Sequence, residues 1–97
     1  LTRVAMNHAA DMASRGDFNS VSPDGTTFPQ RVAHSGYQRW ARGENLAQAT
    51  QVETVMELWQ NSRLHTENLR LENAYFAGVG CAEVENGLYN WVLVLGR

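Results

Sequence analysis

Leu1, Val4, Ala5, His8, Ala9 and Met12 recur at the spacing of one helix face, with Asn7, Asp11 and Arg15 elsewhere. That helix is expected to end at Gly16, because glycine accepts the left-handed conformation that follows many helix ends. Ser22-Pro23-Asp24-Gly25 reads as a tight turn. Thr27 is placed to cap a short helix with Pro29 in its first turn and Gly36 at its end. Residues 39–47 look extended, and Gly43 within them marks a bulge or a close approach of another backbone. Thr50 and Glu53 have capping-box spacing, and Val52, Val55, Met56 and Trp59 behind them form an apolar stripe. A further short helix is expected from about Leu64 to Leu71.

The period then changes. Tyr75 to Val84 and Leu88 to Leu95 are apolar runs on either side of Glu85-Asn86-Gly87, and Asn-Gly is a strong hairpin signal. The unbroken run from Trp91 to Leu95 fits a central strand covered on both faces. Helices first and a closing hairpin give an α+β layout, with helices packed on a mainly antiparallel sheet. No repeat, linker or low-complexity segment interrupts it, so residues 1–97 read as one domain.

Composition narrows the function classes. Apolar residues make up 43% of the chain and charged residues 19%, which is ordinary for a folded domain. The net charge of −2 provides no general attraction to nucleic acid or to anionic lipid, and no run is long and apolar enough to span a bilayer. Tyr37-Gln38-Arg39-Trp40-Ala41-Arg42 is the densest basic and aromatic stretch; it reads as the start of a strand with Trp40 facing the core, not as a nucleic-acid platform. Cys81 is the sole cysteine, so no internal disulfide forms, and its place between Gly80 and Ala82 suits a small buried hydrophobe. The opening residues do not read as a signal peptide; Leu1 already falls in a helical pattern, so a trimmed fragment is expected.

Three segments, in order, carry a resemblance. The first is Asp11-Met12-Ala13, then Phe18, then Ser22-Pro23-Asp24-Gly25. The second is Gly36-Tyr37 followed by Gly43-Glu44-Asn45-Leu46-Ala47, and the third is Trp59-x-Asn61-Ser62-x-x-His65-x-x-Asn68-Leu69. Phe76-x-x-Val79-Gly80 and Tyr89-x-Trp91 to Gly96 then follow as a closing hairpin. Together they resemble the bacterial branch of the CAP superfamily (cysteine-rich secretory proteins, antigen 5 and pathogenesis-related proteins). The resemblance implies a three-layer α-β-α sandwich, an extracellular or cell-envelope location, and the absence here of an N-terminal helix that the family carries.

The resemblance also implies a cleft, lined in many relatives by two His and two acidic residues able to hold a divalent metal. Carried over, those positions fall on Ser20, Glu44, Ser62 and His65. Ser20 stands where the loop His would be, and Ser62 at the second acidic position, as is usual in bacterial members. Zinc asks for at least three protein ligands, and Glu44 with His65 supplies two. A third would have to come from His8 or Glu67, neither of which matches the family pattern. Leu64 and Leu93 stand where bacterial relatives often have Gly and Gln, making the surroundings of His65 less polar.

Other roles remain open for the same residues. Ser20 or Ser62 with His65 as base and Glu44 as orienting carboxylate have the right types for acyl transfer, but no Gly-x-Ser-x-Gly elbow or oxyanion hole is visible. Ser62 also suits a helix cap. Glu44 could instead bond His65 or the backbone, or pair with Arg39, Arg42 or Arg70. His8 fits a satisfied core histidine, His34 a helix C-terminus, and Asn45 and Asn68 polar braces. The resulting expectation is a non-catalytic module binding a lipid, peptide, glycan or protein without a required cofactor; the alternative is a metal-dependent or Ser/His hydrolase at the cell envelope.

Overall fold

A computed structural model describes the backbone of residues 1–97 and every side chain except those of Arg63, Leu64 and Thr66. The element order is α1 (Thr2–Arg15), α2 (Phe28–His34), β1 (Ala41–Ala49), α3 (Val52–Gln60), α4 (Arg63–Leu69), β2 (Phe76–Glu85) and β3 (Leu88–Gly96). α1 buries Val4, Ala5, His8, Ala9 and Met12 and ends at Gly16, whose backbone is left-handed. α2 opens with a full capping box: the Thr27 hydroxyl accepts from the Gln30 N–H, and the Gln30 side chain accepts from the Thr27 N–H.

The three strands form one antiparallel sheet in the order β1-β3-β2. β3 is therefore central, as its unbroken apolar run requires. The hairpin turn puts Asn86 at φ 37° and Gly87 at φ 81°, both in the region the tight Asn-Gly turn demands. Side-chain alternation along β3 builds two cores. Val92 and Val94 pack with α1 and with Val32 of α2, whereas Leu93 packs on the other face with Val55 and Trp59 of α3. The result is the α-β-α sandwich.

α1 lies unusually close to the sheet. A β-carbon on Gly78 would strike the backbone of Leu1 and Thr2, and one on Gly80 that of Ala5 and Met6. These two glycines on β2 let the helix backbone rest directly on the strand.

Four local expectations need correction. The helix after β1 is not capped by Thr50 and Glu53: the strand runs on to Ala49, Gln51 becomes the extended residue before the helix, and its side chain makes no capping bond. Of the expected stripe on α3, Val55 and Trp59 are buried but Val52 and Met56 stay 48% and 39% exposed, because only one side of this short helix meets the sheet. Trp40 does not face the core; it precedes the first strand pair and is 65% exposed. Cys81 is a free thiol, but half-buried rather than fully enclosed. The expected effect of Leu64 concerns a side chain outside the described residues, whereas Leu93 is buried in the α3 core. Among the described residues, no helix is long and apolar enough to cross a membrane.

Candidate functional site

Alternation along β1 sends Glu44 and Asn45 to opposite faces of the sheet. The Glu44 side chain turns toward α2 and the loop between α1 and α2, where it is 1% exposed. A carboxylate so deeply placed needs compensation. It comes from Arg31 on α2, whose Nη2 donates to Oε1 at 3.0 Å and to Oε2 at 2.9 Å. The Ser20 hydroxyl donates to Oε1 at 2.6 Å. Arg31 thus occupies the role the sequence reading offered to Arg39, Arg42 or Arg70.

The same guanidinium organises the loop. Arg31 Nη1 donates to the backbone carbonyl of Ser20 at 2.7 Å and, less closely, to that of Thr26 at 3.3 Å. His8 Nε2 meets the carbonyl of Asn19 at 2.9 Å, one residue from Ser20. Burial pushes the His8 imidazole below its ordinary pKa, and the Arg31 charge adds to this; Glu44 opposes it. With Nε2 on a carbonyl, a neutral His8 leaves Nδ1 as a lone pair, and that atom is buried without a partner. His8 is accordingly a core histidine only half satisfied.

On the other face, Asn45 is fully buried and donates to the backbone carbonyl of His65 at 3.1 Å. Asn68 of α4 donates to Asn45 Oδ1 at 2.8 Å and to the Glu44 carbonyl at 3.1 Å. The two asparagines brace α4 against β1, and Gly43 makes room, since a β-carbon there would lie 2.8 Å from Asn68 Oδ1. Ser62 and His65 sit at the start of α4; Ser62 holds the capping position without a side-chain capping bond, and His65 Nδ1 is buried without a partner.

The four carried-over positions therefore form two pairs. Ser20 touches Glu44, and Ser62 shares the first turn of α4 with His65, but among the described residues no hydrogen bond or ion pair joins one pair to the other. Among the described residues, the bond from Asn68 to the Glu44 carbonyl links Glu44 to α4. Among the described residues no three His, Cys, Asp or Glu side chains converge as metal ligands. A carboxylate whose oxygens already accept from a guanidinium and a hydroxyl, with a cation seated beside it, does not fit a tetrahedral zinc ion. Arg31 was missed in the sequence because a pair formed across 13 positions and two elements leaves no local spacing to read.

A profile of the cysteine-rich secretory protein family matches residues 1–95. An outer surface protein of Borrelia burgdorferi has a similar fold, with a TM-score of 0.89 and 23% identity over 100% of this chain and 72% of that one. An extracellular SCP-domain protein of Bacillus anthracis is also similar, at a TM-score of 0.78 and 28% identity, covering 96% of this chain and 30% of that one. No curated protein sequence matches. On the family profile and the sandwich it folds into, the chain belongs to the cysteine-rich secretory protein (CAP) family.

Proposed function

We propose that this chain is a secreted or cell-envelope CAP domain acting as a non-catalytic binding module. Its cleft, at Ser20, Glu44, Ser62 and His65, or its loops would engage a lipid, peptide, glycan or protein. The two similar structures are of an outer surface protein and an extracellular protein, which supports the location.

One observation carries the non-catalytic reading: the Glu44 carboxylate is buried and neutralised by Arg31, and the Ser20 hydroxyl is spent on the same carboxylate. Nucleophilic catalysis by serine asks for a hydroxyl bonded to a base that is itself oriented by a third group. Ser20 instead donates to an anion already held by a cation. Such a network fixes the shape of a wall; it does not poise a proton for transfer.

The test is ester turnover, using p-nitrophenyl acetate with and without added zinc, for the wild type and His65→Ala and Glu44→Gln. All three should match the buffer rate. Turnover by the wild type that vanishes in His65→Ala, with the circular dichroism of the fold intact, would establish a hydrolase instead.

A further inference from the structure

A second feature lies at one end of the sheet and uses none of the cleft residues. β1 and β2 both run antiparallel to β3, so Ala41 and Phe76, their first residues, both pair with Gly96 near its end. This topology gathers Trp40, Tyr75 and Arg97, which flank the three strands. The Arg97 N–H donates to the Trp40 carbonyl and the Tyr75 N–H to the Gly96 carbonyl, each at 2.9 Å. Trp40, Tyr75 and Phe76 are 65%, 66% and 50% exposed. The guanidinium carbons of Arg42 and Arg97 lie 5.3 and 5.7 Å from the Trp40 ring centroid, and that of Arg39 lies 5.5 Å from Phe76. Arg39, Trp40 and Arg97 line an open depression of about 320 Å³.

The arginines have rings but no anions. Among the described residues the ion pairs are Arg15–Asp17 and Arg31–Glu44, so Arg39, Arg42 and Arg97 lack a carboxylate. Arg42 Nε is buried and has no hydrogen-bond partner. Stacking on a ring leaves the N–H edges of a guanidinium free to donate. Three like charges concentrated on a chain of net charge −2 repel one another until an anion joins them. The exposed rings ask for apolar cover as well.

The occupant must therefore be anionic at one depth and apolar at the next, and it must present itself as a surface, since the depression is open. Trp and Tyr favour the bilayer interface, and arginines near it are attracted to acidic headgroups. A free phosphate would leave the rings bare. We propose that Arg39, Trp40, Arg42, Tyr75, Phe76 and Arg97 form a docking patch for an anionic phospholipid membrane.

Flotation with phosphatidylcholine vesicles, with and without about a third phosphatidylglycerol, tests this. The protein should float with the acidic vesicles and stay behind with the neutral ones. Arg39→Gln and Arg97→Gln should each weaken binding about fivefold, and Trp40→Ala should weaken it too, with melting temperatures unchanged at these exposed sites. Absence of flotation, or flotation indifferent to the arginines, overturns the proposal. So does arginine-dependent binding of a soluble acidic polysaccharide without vesicle binding, which would assign the patch to a glycan. Trp40 fluorescence shielded from iodide before vesicles are added, judged against Trp40→Phe, would show the patch already covered and overturn it as well.

Discussion

Arg31 places one guanidinium nitrogen between both oxygens of Glu44, at 3.0 and 2.9 Å, with the carboxylate 1% and the arginine 13% exposed. This pair decides the chemistry available at Glu44. It supplies the positive charge that a bound metal would otherwise bring, and it fastens the loop from Ser20 to Thr26 onto β1 through the other guanidinium nitrogen.

Breaking the pair from one side should cost more than removing it altogether. Arg31→Met leaves a buried carboxylate uncompensated, at a cost of about 3–5 kcal/mol. For a domain whose total stability is on the order of 5–15 kcal/mol, that is a large fraction. Arg31→Met combined with Glu44→Leu should recover most of it, because the double change leaves no buried charge. Urea unfolding of the three proteins checks this, and a single Arg31→Met variant within about 1 kcal/mol of wild type would contradict it.

His8 sets an acid limit on stability. Its pKa is lowered from 6.5, first by burial and then by Arg31, with Arg15 adding slightly and Glu44 and the Asn19 carbonyl opposing. The unfolded chain therefore binds this proton more readily than the folded one. The stability His8 contributes is present above its unfolded value of 6.5 and is lost as pH falls through the lower, folded value. Asp24, also lowered, by hydrogen bonds from Thr26, acts only below its ordinary 3.8 and so does not overlap. Melting temperatures from roughly pH 7 down to pH 5 should fall for the wild type and fall less for His8→Gln. Parallel curves would show that His8 does not set this limit.

The asparagine brace predicts a local effect. Asn68→Ala removes the donor to Glu44 O and Asn45 Oδ1, and leaving such buried acceptors unpaired costs about 1–3 kcal/mol. Hydrogen exchange should speed up in α4 ahead of α1. Uniform acceleration across both helices would mean that the brace has no local role.

Gly80 and Gly87 should respond differently to alanine. Gly80→Ala drives a methyl group into the backbone of Ala5 and Met6, which neither element can yield without parting helix from sheet. Overpacking of this kind costs about 1–3 kcal/mol. At Gly87 there is open space and the penalty is that of a positive φ, about 1 kcal/mol. Equal midpoints in thermal unfolding would show that α1 does not rest on β2 as described.

The sandwich was legible because its signals are local. The spacing from Val4 to Met12, the Thr27 cap, the Asn86-Gly87 turn and the run from Trp91 to Leu95 each name an element without reference to the rest. The boundary at Thr50 and Glu53 misled because a capping-box spacing cannot show where the preceding strand ends. Trp40 misled because a large apolar residue next to a strand resembles a core residue until the strand pairs are known. At the candidate site, the positions of Glu44 and His65 could be read from the motifs, but the Arg31–Glu44 pair and the bond from Asn45 to the His65 carbonyl are tertiary facts.

Arg31 and Ser20 satisfy the Glu44 carboxylate. Calorimetric titration of zinc into the wild type, beside His65→Ala and Glu44→Gln, puts that to the test. No stoichiometric binding heat is expected in any of the three. Binding of one zinc ion by the wild type that disappears in both variants would contradict it, and would mean that Glu44 leaves Arg31 to join His65 around a metal.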